Sequence, residues 1–173
     1  MKVEVVRSRR RRKTVQARQV GDIVRVSVPA TMNRSDEERW VKEMVLRIER
    51  RQRAGTIDLW ERAAALGERF ALGAPRSVRW VDNQLWRWGS CTPADGSIRI
   101  SSRLAKEPAW VLDYVIVHEL AHLHVRGHSK AFWDLVNRYP LAERARGFLI
   151  ARGVEPEPPQ AMQDTLPAFP TGR

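Results

Sequence analysis

All four histidines of the 173-residue chain fall between positions 118 and 128, and the first two bracket the pentapeptide HELAH. That window constrains the fold more than any other feature. At ~100° per residue of helix, positions four apart differ by only ~40°, so one helix face presents His118 and His122 side by side. His128 lies six residues beyond His122 and would point ~240° away if the same helix continued. It rejoins the pair only if the helix breaks. Gly127 permits the break, because glycine adopts the left-handed conformation that ends helices and redirects the chain. His124 faces ~200° away from His122 and is expected at the surface or behind the cluster rather than in it.

Imidazoles in this arrangement suit a metal. A catalytic zinc takes three protein ligands and keeps a fourth position open, which makes His118, His122 and His128 the expected ligands of one Zn2+ per chain. Glu119 sits beside them, where its carboxylate can take a proton from the activated water and return it to a leaving group. The chemistry predicted is hydrolysis, most simply of peptide bonds, with Glu119 as general base. Candidates for contacting substrate are Arg87, Ser90, Tyr114, one turn before His118, and Tyr139. Asp113 and Asp134 are near enough in sequence to accept hydrogen bonds from the ligand imidazoles. Two other classes stay open. A metal-dependent nucleoside triphosphate pyrophosphatase or phosphohydrolase would use a basic segment to hold phosphates, but there is no Walker-type glycine loop, and the ligands are imidazoles rather than the carboxylates usual for Mg²⁺. The second is a nucleic-acid-associated protease or binding module; a binding module that keeps a structural zinc is disfavoured by Glu119, since a closed site needs no general base.

The rest of the chain reads as α+β: a small N-terminal antiparallel sheet, a helical middle and a C-terminal helical region carrying HExxH. Val3 to Val6 and a hairpin around Gly21-Asp22 form the sheet. A helix opens at Ser35, with Glu38 in capping-box spacing and an apolar stripe of Trp40, Val41, Met44, Val45 and Ile48. A second runs from about Ile57 to Leu72, with Thr56 as its cap. Ser77 to Val81, Leu85 to Trp88 and Ser97 to Ser101 read as strands. Pro108 opens a helix that is apolar on most sides and ends at Gly127; Ser129 caps the next, to about Tyr139, and Pro140 opens the last, to near Gly153. The expected organisation is one domain over 1–154, divided into a basic β segment at 1–33, helices at 34–75 and the zinc-site region at 76–154. A proline-rich tail at 155–173 is expected to be disordered.

Charge is uneven. Residues 1–53 hold sixteen Lys+Arg against seven Asp+Glu, whereas residues 54–173 hold fifteen against thirteen. The run RSRRRRK from Arg7 to Lys13 is therefore a candidate for contacting nucleic-acid phosphates without sequence preference. The single cysteine, Cys91, makes no internal disulfide and fits a reducing, cytoplasmic setting. No apolar run approaches the ~20 residues of a membrane-spanning helix, so no membrane partner is expected.

The stretches RWGSC at 87–91, IRISSRL at 98–104, VLDYVIVHELAHL at 111–123 and GHSKAFWDLVNRYP at 127–140 resemble the YgjP-like metallopeptidase family, which is related to the SprT-like and WLM zincin domains. The resemblance is dense over about 76–140. It implies a zincin-like C-terminal region, a zinc site at His118, His122 and His128, and a catalytic glutamate at Glu119. A metzincin is not implied, because Val125 stands where those enzymes place a turn glycine. Within RWGSC, Gly89 is expected to supply backbone freedom for a tight turn, with Trp86 and Trp88 packed in the core. Cys91 is expected simply to pack.

Overall fold

The structure is a computed structural model that describes residues 2–84 and 86–153. The expected tail at 155–173 lies outside the described residues. Two compact units divide the chain, one ending at Thr56 and the other beginning at Ile57.

The first unit contains β1 (Lys2–Ser8), β2 (Gln16–Val20), β3 (Ile23–Pro29) and helix α1 (Arg34–Ala54). β2 and β3 form the antiparallel hairpin, turning at Gly21 with φ +57. β1 does not extend it antiparallel as expected. The strand order is β1-β3-β2, and β1 runs parallel to β3 with Val3 beside Val24 and Val5 beside Val26. The reason is topological: the 9–15 connection carries the chain across β3 before β2 begins, so β1 and β2 occupy opposite edges. A β-branched run specifies a strand but not its neighbour.

Helix α1 starts earlier than the Ser35 cap suggested. Asn33 is the N-cap, its side-chain oxygen accepting from the Asp36 amide at 2.8 Å. Trp40, Val41, Val45 and Ile48 then pack with Met44 against Val24, Val26 and Val28. The helix packs on the first sheet.

The second unit contains α2 (Leu59–Arg69), β4 (Ser77–Val81), β5 (Gly89–Thr92), β6 (Ser97–Ser101), a 3-10 turn (Ser102–Lys106), α3 (Ala109–Ala121), α4 (Lys130–Val136) and α5 (Ala142–Ala151). Asp58, not Thr56, caps α2 by accepting from the Glu61 amide at 2.9 Å. A second mixed sheet has the order β4-β6-β5, with β4 parallel and β5 antiparallel to β6. The strand expected at Leu85 to Trp88 is displaced: β5 begins at Gly89, and Leu85 lies outside the described residues.

Helix α3 is the centre of this unit. Val111, Ile116, Val117 and Leu120 are fully buried, as befits a helix apolar on nearly all sides, and each buried aliphatic side chain contributes about 1.5–3 kcal/mol. α2, α4, α5 and the second sheet pack around it. Pro108 precedes α3 as its N-cap, and the helix ends at Ala121 rather than at Gly127. The architecture is α+β, with five α-helices and two small mixed sheets among the described residues. No helix among them is long and apolar enough to cross a membrane.

Candidate metal centre

Although α3 stops at Ala121, His122 keeps the right-handed helical conformation (φ −67, ψ −16) as its C-cap, so the one-face relation of His118 and His122 survives. A short turn follows. At Gly127 the backbone adopts φ +72, the left-handed break expected there, and the chain returns with His128 just ahead of the Ser129 cap of α4. The ligand-capable atoms of His118, His122 and His128 lie within 4.8 Å of one another. The Nε2 atoms of His118 and His128 are 3.2 Å apart. His124 turns away, its Nε2 2.6 Å from the Leu72 carbonyl.

Three features test whether these residues suit a cation. Two nitrogens bound tetrahedrally at about 2.0 Å lie about 3.3 Å apart, close to the observed His118–His128 separation. The His122 Nδ1 lies 3.3 Å from the Val125 carbonyl oxygen, which holds the ring proton on Nδ1 and leaves Nε2 for the cluster. Burial, and then the neighbouring His122, His128 and Arg146, hold His118 well below the ordinary imidazole range, so it is neutral as a ligand must be. The donor set fits a zinc-like ion. The carboxylates expected behind the imidazoles are engaged elsewhere: Asp113 pairs with Arg62 at 2.5 Å and Asp134 with Lys130 at 2.8 Å.

Phe132 is the contact that sequence reasoning missed. Fully buried on α4, it stacks on His122 at 4.3 Å between centroids and meets His118 and His128 edge-on at 4.8 and 4.6 Å. One ring thus supports all three imidazoles. Its place four residues after His128, one helical turn on, was the available signal.

Glu119 is buried and shares a cavity of about 200 Å³ with His118 and His122. Across it lies Gly89 on β5. A Cβ there would stand 2.8 Å from the Glu119 Cδ and collide with its Oε1. Gly89 has no positive φ. The glycine therefore supplies space for the carboxylate, not the backbone freedom expected of a tight turn.

The other predicted residues separate. Tyr114 lines the cavity, is almost wholly buried, and its hydroxyl has no hydrogen-bond partner; burial pushes it up to about 12. Arg87 and Ser90 also line the cavity, Ser90 accepting from the Gln84 amide at 2.8 Å. Tyr139 does not reach it: its hydroxyl donates to the Trp110 carbonyl at 3.0 Å, and its ring packs edge-on against Phe70. Trp88 is buried under the Arg103 guanidinium, but Trp86 is 84% exposed and not in the core as expected. Cys91 borders the cavity as a neutral thiol, pushed up to about 12 by burial and then by Glu119 and Asp95.

Comparison with known proteins gives one family and one solved structure. The family model described as YgjP-like, metallopeptidase domain, matches residues 51–146. The crystal structure of the metallopeptidase zymogen of Pyrococcus abyssi abylysin aligns with a TM-score of 0.48 and 18% sequence identity, covering 53% of this chain and 91% of that one. No curated protein matches the chain.

Proposed function

Because the chain belongs to the YgjP-like metallopeptidase family, we propose that it is a zinc-dependent peptidase, with His118, His122 and His128 holding the ion and Glu119 as general base. One observation carries this reading: three imidazoles converge, and two of them, His118 and His122, line the same cavity as the buried Glu119 carboxylate. When bound, the ion acts as a Lewis acid, polarising the scissile carbonyl and acidifying the attacking water. Glu119 takes the proton from that water and passes it to the departing amine, so that one carboxylate serves both halves of the hydrolysis. Gly89 keeps the carboxylate in place by leaving it room.

Tyr114 stays protonated across the working pH range, and its free hydroxyl can donate to the negative charge that develops on the carbonyl oxygen. Among the described residues β5 pairs with β6 alone, so its other backbone edge can hold an extended peptide, with Ser90 on the wall and Arg87 beside it. In this reading the second unit is zincin-like, and the chain acts in the cytoplasm.

The test uses wild type and Glu119→Gln, each incubated with an unfolded casein-like protein and with a panel of nucleoside triphosphates. Both forms are expected to carry about one zinc per chain by metal analysis, while only wild type cleaves the protein, Glu119→Gln being slower by about 10²–10⁴-fold. A metal-free wild type, or turnover confined to triphosphates, overturns the reading.

A further inference from the structure

The basic run of the first unit divides into two sets of side chains. Arg7 is used internally: its guanidinium donates to the carbonyls of Ala30 and Met32 at 3.1 and 3.2 Å and pairs with Glu37 at 2.6 Å. Arg11 is used in the same way, donating to the Thr14 hydroxyl at 3.2 Å and to the Gln16 side-chain oxygen. Arg11 ties down the connection between β1 and β2, and Arg7 fixes the end of β1 that leads into it. The remaining cations of the run, Arg9, Arg10, Arg12 and Lys13, are exposed and make no hydrogen bond or ion pair among the described residues. No acidic residue lies between Glu4 and Asp22 to neutralise them. Arg9, Arg11 and Arg12 together line a depression of about 380 Å³ floored by Ala30 and Thr31.

Adjacent unneutralised cations repel one another, and a structure that anchors them in place gains when an anion enters. Guanidinium groups around a concavity match phosphate oxygens, each donating two parallel N–H bonds. We propose that the β1–β2 connection is a docking site for duplex nucleic acid, reading the phosphate backbone and not the base sequence. Duplex is favoured over single strand because Trp40, the only aromatic residue in 1–56, is packed with Met44 and the β3 valines, leaving no exposed ring within residues 2–56 on which bases would stack. A lipid surface is disfavoured because residues 8–14 contain no apolar side chain to enter the acyl region. The site is independent of the metal centre.

The experiment measures fluorescence anisotropy of the full chain with a labelled 20-bp DNA duplex of arbitrary sequence between about 50 and 200 mM salt, alongside a single strand of equal length and phosphatidylserine vesicles. Binding to the duplex should weaken steeply with salt. Replacing Arg9, Arg10, Arg12 and Lys13 together by Gln should flatten the log–log salt slope by about 3–4 and weaken binding at the lowest salt by about 10²-fold or more. A control removing the same charge at exposed scattered positions, Lys42→Gln, Arg53→Gln, Arg76→Gln and Lys106→Gln, should change the slope by less than ~1. Glu119→Gln should bind the duplex as wild type does. Equal losses in the two charge variants overturn the proposal. So do absent duplex binding by wild type, single strand bound as tightly as duplex, and binding to vesicles alone.

Discussion

The two units differ in where they keep their polar groups. In the first, sixteen Lys+Arg and seven Asp+Glu stand on a small core of three β3 valines and Met44, and pairs such as Arg25–Glu4 and Arg34–Glu38 lie in water. Such pairs contribute about 0–1 kcal/mol each. In the second, residues 57–173 carry fifteen against thirteen, a near balance, yet His118 and Glu119 are buried within a much larger apolar cluster. Burying them is costly unless a ligand or partner compensates, which makes the site chemically informative where the surface charges are not. Net charge reports what a surface attracts; buried titratable groups report chemistry.

That contrast can be broken, and the largest effect should come from the core. Ile116→Ala removes a fully buried side chain at the middle of α3 and should destabilise the second unit by about 2–5 kcal/mol. Hydrogen exchange resolved by segment should show lost protection from Ile57 onward and unchanged protection in β2, β3 and α1. Uniform loss would mean that the units unfold as one.

Gly89→Ala should cost less, about 1–3 kcal/mol, because the new methyl must displace the Glu119 carboxylate. Its informative readout is the split between functions. The variant should retain about one zinc per chain while peptide hydrolysis falls by at least about tenfold. Loss of zinc together with activity would show that the glycine supports the imidazoles and not the carboxylate.

Smallest is a pH effect confined to the second unit, which contains every histidine. Burial and its imidazole neighbours lower His118 in the folded chain, so the unfolded state binds the extra proton first. Stability of the metal-free protein is therefore complete above about pH 6.5, the unfolded imidazole value, and falls as pH drops below it, by at most about 1.4 kcal/mol per pH unit for this group. Denaturation between pH 7 and 5, with chelator present, checks this. His118→Gln should remove the slope, and a slope that persists would assign the titration to another group.

Local relations were legible in advance and long-range ones were not. The helix period paired His118 with His122, placed Glu119 beside them and assigned the stripe from Trp40 to Ile48. Capping residues were misplaced at Ser35 and Thr56 because Asn33 and Asp58, each two residues away, offer the same chemistry, and propensity alone does not choose between neighbours. Tyr139 and Trp86 exchanged expectations with the structure for a plainer reason. Whether an aromatic residue is buried or exposed depends on which other segment arrives against it.

By itself, the sequence determined that three imidazoles converge, through one helix turn and one glycine break, together with the separation of basic and near-neutral halves. Those properties depend on bond rotations within a few residues, or on composition. Only the tertiary structure decided that Gly89 faces Glu119, that Phe132 underlies three imidazoles, that Tyr114 and not Tyr139 enters the cavity, and that Arg7 fixes the end of β1 while Arg11 anchors the loop whose other cations stay free. Each of these is a contact fixed by packing, and no periodicity along one segment encodes the identity of its neighbour across space.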